Sequence, residues 1–261
     1  MRKKLSILAL LLLLIGGVGS YFTFSQSWEE VTSEKKVNSD MVEEIQISID
    51  NATVEVLPTS DTETKVQLVT KGMDVSKLDF TAEVEGTKLT IRLKDKSTFY
   101  VGFNIQSSHL YVYVPQKLYQ SIAIENDNGK VRMSELNVKN LNVQTDNGRI
   151  ELNKIVSENV DVKSANGRLN LNDVEGNIKG SSNNGKIVLT TKDLDRNIQL
   201  ESNNGKISIE TEKEPTNTTF KIKADNGSIN ILDKYEGNTV IGKGENLVYL
   251  KSNNGKIEVK K

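Results

Sequence analysis

The sequence predicts an all-β chain, a β-solenoid ectodomain that follows one N-terminal transmembrane helix. Three observations carry that expectation: an uncharged run near the start, alternation of apolar and polar residues from Met41 onward, and an Asn-Gly pair that returns seven times.

Arg2, Lys3 and Lys4 precede residues 5–24, a stretch of 20 residues with no charge. At about 1.5 Å of rise per residue, such a helix crosses a hydrocarbon layer of roughly 30 Å. The basic flank predicts that residues 1–4 are a cytoplasmic tip, and Tyr21, Phe22 and Phe24 suit the outer interface. Gly17, Gly19 and Ser20 are small residues of the kind a signal peptidase accepts, so cleavage of the segment stays open beside a retained anchor. Retention predicts a single-pass membrane protein with its C-terminal domain outside; cleavage predicts a secreted one. The chain has no cysteine, which excludes disulfides and a lipidated cysteine. Residues 25–40 are polar without a sustained apolar face and read as a linker in which a short helix fits.

From residue 41 to 261 the apolar residues fall at every second position, as in "EIQISID", "ATVEVLP" and "KLTIRLK". That is the period of a strand with one buried face, and no amphipathic helix of comparable strength appears. Only 5% of the chain is aromatic, so the core rests on Val, Ile and Leu.

The Asn-Gly pairs begin at Asn128, Asn147, Asn166, Asn184, Asn204, Asn226 and Asn254, with successive spacings of 18 to 22 residues and a last one of 28. Periods of this size mark stacked repeats. Asn and Gly both tolerate positive φ, which predicts a sharp corner there. Two and four residues beyond each glycine every side chain is apolar, from Val131 and Met133 to Ile257 and Val259. Two residues before each asparagine stands a small or polar residue, such as Ser164 or Ser202, as a pinched inner corner requires. Coils that wrap these positions around a common axis and stack about 4.8 Å apart bury them without any helix. An antiparallel meander folded into a β-sandwich is the alternative.

The stretch "YVYVPQKLYQSIAIENDNGKVRM", a strand ending in Val-Pro, a connector, a strand, Asn-Gly and a strand, resembles the bacterial "putative adhesin" family of β-strand-repeat ectodomains. With the basic N-terminus and apolar segment, the chain is similar to its LiaG-type membrane-anchored members over roughly residues 41–261. The resemblance implies a place in the cell-envelope stress systems of low-GC Gram-positive bacteria, and it brings no catalytic residues.

The residues themselves predict no catalytic, cofactor-binding or metal-binding site. His109 is the sole histidine and has no cysteine or second histidine to act with. The Asp127, Asp146 and Asp225 that precede Asn-Gly lack the spacing of calcium loops and read as turn residues. Paired carboxylates for polysaccharide cleavage are not identifiable, so a carbohydrate-active enzyme is a minor alternative. A formal net charge of −1, from 34 basic and 35 acidic residues, gives no pull toward nucleic acid. One outward feature stands out. Lys130, Arg149, Arg168, Lys186, Lys206 and Lys256 each follow a repeat glycine, with Ser228 the exception, and stacked coils place them in a column. Such a column suits an anionic cell-wall polymer or lipid headgroups; otherwise it blunts strand edges, with Asp127, Asp146 and Glu151 nearby to neutralise it. The predicted function is therefore non-enzymatic contact with envelope components or envelope-stress membrane proteins, with a regulatory or scaffolding role among membrane proteins as the alternative.

Overall fold

The computed structural model describes residues 30–72, 75–96 and 107–261. The tip at 1–4, the transmembrane segment at 5–24 and the start of the linker lie outside them. Among the described residues no helix is long and apolar enough to cross a membrane.

The strands near the N-terminus are β1 (Glu30–Asn38), β2 (Glu44–Asn51), β3 (Thr53–Thr59), β4 (Glu63–Lys71), β5 (Leu78–Glu85), β6 (Lys88–Asp95) and β7 (Ser107–Pro115). The long middle strands are β8 (Leu118–Asn128), β9 (Val131–Asn147) and β10 (Ile150–Ser164). Shorter ones follow: β11 (Leu169–Val174), β12 (Asn177–Ser182), β13 (Ile187–Thr191), β14 (Ile198–Ser202) and β15 (Ile207–Thr211). The C-terminal region holds β16 (Thr218–Asn226), β17 (Ile229–Ile231), β18 (Thr239–Ile241), β19 (Asn246–Asn254) and β20 (Ile257–Lys260).

Parallel pairing stacks these strands into two walls of a solenoid. Residues before each Asn-Gly form the first wall, in which β8, β9, β10, β12 and β14 run side by side; residues after it form the second, through β9, β10, β11, β13 and β15. β9 and β10 serve both walls because each bends, at Glu135 and Lys154, which have φ of 57° and 52°. Every second residue faces inward and is buried, so Val143, Val162 and Leu200 of the first wall share one core with Met133, Leu152 and Leu171 of the second. Gly180 interrupts the aliphatic column of the first wall, and Leu200 of the next coil takes the space, with its Cδ2 2.8 Å from where a Cβ would sit.

The linker expectation fails over residues 30–38. They form β1, antiparallel to β4 from Glu30 opposite Lys71 to Asn38 opposite Glu63. β1 alternates only between exposed and half-buried residues, so it has no apolar face for a sequence pattern to reveal. With β4 against β7 and β5 against β6, antiparallel strands close the N-terminal end of the stack.

At the other end the stacking order departs from the chain order. β14 and β15 pair not with β16 and β17 but with β19 and β20, and β16 and β17 pack on the far side of β19 and β20. The C-terminal coil is thus inserted between two coils that precede it. The 28-residue spacing between Asn226 and Asn254, longer than the others, contains β18 and the return path that this insertion requires.

Candidate interaction surface

The Asn-Gly corner is where the coils approach most closely. A Cβ on Gly167 would lie 1.6 Å from the carbonyl oxygen of Gly148, and one on Gly185 1.8 Å from that of Gly167. Glycine is required there by contact between coils. Positive φ, the reason the sequence suggested, holds only for Gly129 among these glycines, and none of the seven asparagines has it. The left-handed residues lie instead at the second bend, at Glu135, Lys154 and Asp173.

The asparagines are selected by a different force. Each Nδ2 donates to the Oδ1 of its neighbour in the stack, giving a ladder Asn51, Asn128, Asn147, Asn166, Asn184, Asn204, Asn254, Asn226 with distances of 2.7 to 2.9 Å. Just inside, the Oγ of Ser164, Ser182, Ser202 and Ser252 donates to the carbonyl of the glycine one coil before it, at 2.9 to 3.0 Å. A buried hydroxyl and a buried carbonyl satisfy each other, which avoids the cost of leaving either unpaired.

The basic residues follow these corners and form the expected column. Backbone bonds from Val131 N to Arg149 O, Ile150 N to Arg168 O, Leu169 N to Lys186 O, Ile187 N to Lys206 O and Ile207 N to Lys256 O fix its order, and Ile257 N to Ser228 O ends it. In chain order Ser228 falls between Lys206 and Lys256. In space the inserted coil brings Lys256 beside Lys206 and moves Ser228 to the margin, so the basic stripe is unbroken. The three "SNNGK" corners, at 182–186, 202–206 and 252–256, are the three consecutive coils of that stripe.

Counterions are distributed unevenly along the stripe. Glu151 accepts from Arg149 at 3.3 Å and from Arg132 at 3.0 Å, and Lys130 stands 3.9 Å away; Arg132 also reaches Glu55. Burial pushes the Glu151 carboxyl up, but the bonds from Arg132 and Arg149 and the charge of Lys130 outweigh it and leave its pKa lowered. Farther along, Glu258 is almost buried and accepts from Lys206, from Lys256 at 2.7 Å and from Lys260 at 3.1 Å, which hold its pKa at about 2. Between these clusters Arg168 and Lys186 form no ion pair among the described residues. Asp127 and Asp146 precede the first two Asn-Gly pairs, whereas the next four coils in the stack have Ala165, Asn183, Asn203 and Asn253 there. The excess positive charge therefore lies over Arg168, Lys186, Lys206 and Lys256. Glu151 is one of the acids the sequence offered as neutralising the column, whereas Glu55, Arg132 and Glu258 were not singled out, although Arg132 and Glu258 each lie two residues beyond a basic corner residue, on the same strand face.

His109 lies on β7 with its ring 6.2 Å from that of Tyr111, which in turn is 6.3 Å from Tyr113, so it is part of an aromatic row along one strand. Among the described residues no group of three or more His, Asp or Glu side chains is placed to hold a metal ion.

The corner repeat and the two-walled stack have a counterpart among known families. The Toastrack DUF4097 family matches residues 42–177 and again 129–260. The chain belongs to this family. A "putative adhesin" from Bacteroides fragilis NCTC 9343 shares the fold with a TM-score of 0.52 at 14% identity, over 89% of this chain and 98% of that one. A "putative cell adhesion protein" from Clostridium sporogenes ATCC 15579 aligns at 17% identity and a TM-score of 0.43, over 89% of this chain and 99% of that one. A "putative lipid binding protein" from Parabacteroides distasonis ATCC 8503 aligns at 15% and 0.43, over 89% and 97%. No curated protein matches the chain.

Proposed function

We propose that this Toastrack chain is a non-enzymatic, membrane-anchored protein whose ectodomain contacts anionic polymers of the cell envelope through its basic stripe, within an envelope-stress system. The observation that carries the reading is the unbroken run Arg168, Lys186, Lys206, Lys256, one cation per coil, with Glu258 as its one paired acid among the described residues. Coils about 4.8 Å apart lie within a Debye length of about 8 Å, so these charges act together on a polyanion. The apolar run at 5–24 with its basic flank supports the anchor, and the resemblance to LiaG-type proteins supports the envelope-stress setting.

Retention of the full chain on immobilised, purified wall teichoic acid tests this, comparing the native protein with the quadruple variant Arg168→Gln, Lys186→Gln, Lys206→Gln, Lys256→Gln. Native retention that falls with added salt, together with loss in the variant, is the expected outcome. Equal retention of the two proteins ends the reading.

A further inference from the structure

A second asparagine ladder runs along the opposite end of the first wall, and it borders a depression of about 480 Å³. Asn140, Asn159, Asn177 and Asn197 line it from four successive coils, each just before the strand segment that enters the wall. Nδ2 of Asn159 donates to Oδ1 of Asn140 at 3.1 Å, and Nδ2 of Asn177 donates to Oδ1 of Asn159 at 3.2 Å. Asn197 Oδ1 accepts from the backbone of Leu247, which closes one end of the groove. We infer that this groove binds a neutral, hydroxyl-rich glycan chain laid along the stack.

The chemistry of the lining carries the inference. A primary amide has two N–H donors and an oxygen with two lone pairs. Where a rung spends one N–H and one lone pair on its neighbours, the other pair stays available and the amide plane is fixed. Sugar hydroxyls both donate and accept, so they fit such rungs, whereas a phosphate offers acceptors alone. The residue after each asparagine, from Leu141 to Ile198, is buried in the core and holds the rungs from beneath, while Leu247, exposed at one end of the groove, offers an apolar contact to the C–H face of a pyranose ring. Charge in the groove is balanced: Asp161, paired with Lys163 at 3.1 Å, faces Lys179. The rung spacing of about 4.8 Å is close to the advance of one sugar in an extended chain, so the four rungs accommodate roughly three units. From Asn140 to the Asn147 corner is seven residues, or about 23 Å of strand, so the site is separate from the basic stripe and does not depend on it.

The test is calorimetric titration of the full chain in detergent with β-1,4-linked N-acetylglucosamine and glucose oligomers of increasing length. Affinity for at least one series should rise up to three or four units and then level off. Asn177→Arg, an outward substitution that fills the groove, should weaken it at least tenfold, and Lys186→Gln should leave it unchanged. Side-chain amide resonances of Asn140, Asn159, Asn177 and Asn197 should shift on titration, a readout that does not need the variant to fold. Absence of binding in both series, affinity independent of length, equal affinity in Asn177→Arg, or shifts confined to other residues would each overturn the proposal.

Discussion

Coils that follow one another along the chain and the C-terminal coil inserted among them make nearly the same contacts by different routes. Asn147 donates to an asparagine 19 residues away at 2.9 Å, and Asn254 donates to one 50 residues away at 2.8 Å. Closing the longer loop costs only about 0.9 kcal/mol more, since the entropy grows with the logarithm of length. Val248, Leu250, Ile257 and Val259 of the inserted coil are fully buried, which at about 1.5 to 3 kcal/mol each outweighs that difference several times over. Connectivity is thus a minor energetic term in this fold, and pairing chemistry decides which coil sits where. It also decides the surface, because insertion joins Lys206 to Lys256.

The comparison breaks most visibly if the inserted coil is removed. Deleting residues 245–261 leaves β14 and β15 unpaired on one side and β16 and β17 without their main partners. The lost burial of roughly 6 to 12 kcal/mol is comparable with the whole stability of a domain. Hydrogen exchange is expected to show residues 218–231 unprotected while 131–174 stay protected. Persistent protection at 218–231 would mean that this coil docks directly on β14 and β15, and that insertion is dispensable.

Glycine corners sharpen the same point at a smaller scale. A Cβ at Gly167 meets a backbone oxygen at 1.6 Å and one at Gly255 meets its own at 2.2 Å, whereas at Gly237 nothing lies within 4 Å. Alanine is expected to cost about 2 to 4 kcal/mol at Gly167 and at Gly255 and less than about 0.5 at Gly237, measured by urea unfolding. A harmless Gly255→Ala would show that the inserted coil sits more loosely than the sequential ones.

Glu258 ties the inserted coil to Lys206 of an earlier one, and its effect depends on pH. Bonds from Lys206, Lys256 and Lys260 depress its pKa to about 2, from 4.5. Its contribution is therefore present above pH 4.5 and is lost as pH falls from there through about 2. Glu258→Gln should be less stable than the native chain at pH 7, with the gap closing as pH approaches 2. A gap that stays constant across this window would remove the carboxylate from the account.

Walls, core and basic column were legible because period-two alternation and a recurring corner are local signals. The corner serines and the residues flanking each glycine occupy the positions expected of them. Three features were not legible, for distinct reasons. β1 has a single strand partner and no apolar face, so its residues look like linker. The glycines answer to a carbonyl one coil away, a contact that leaves no trace in the spacing along the chain. Stack order depends on choosing between identical "SNNGK" corners at 202–206 and 252–256, and identical neighbours offer no local preference. The candidate surface was partly visible: its cations repeat and Glu151 and Glu258 stand two residues beyond Arg149 and Lys256, but the contacts of Arg132 with Glu151 and of Lys206 with Glu258 exist only once coils stack.

The smallest test asks whether sequential and inserted coils are equivalent bond by bond. Ser202 Oγ donates to Gly185 O at 3.0 Å across a sequential junction, and Ser252 Oγ donates to Gly205 O at 2.9 Å across the inserted one. Both serines are buried and both acceptors are corner carbonyls, so alanine at either position should cost about 1 kcal/mol, the usual worth of one such bond. Paired equilibrium unfolding of Ser202→Ala and Ser252→Ala, in the same buffer, reads the difference directly. Agreement within about 0.5 kcal/mol is expected, because the two junctions differ in chain path and not in chemistry. A much smaller cost at Ser252 would mean that the inserted coil opens ahead of the rest, and the unbroken basic stripe would then exist only while it is closed.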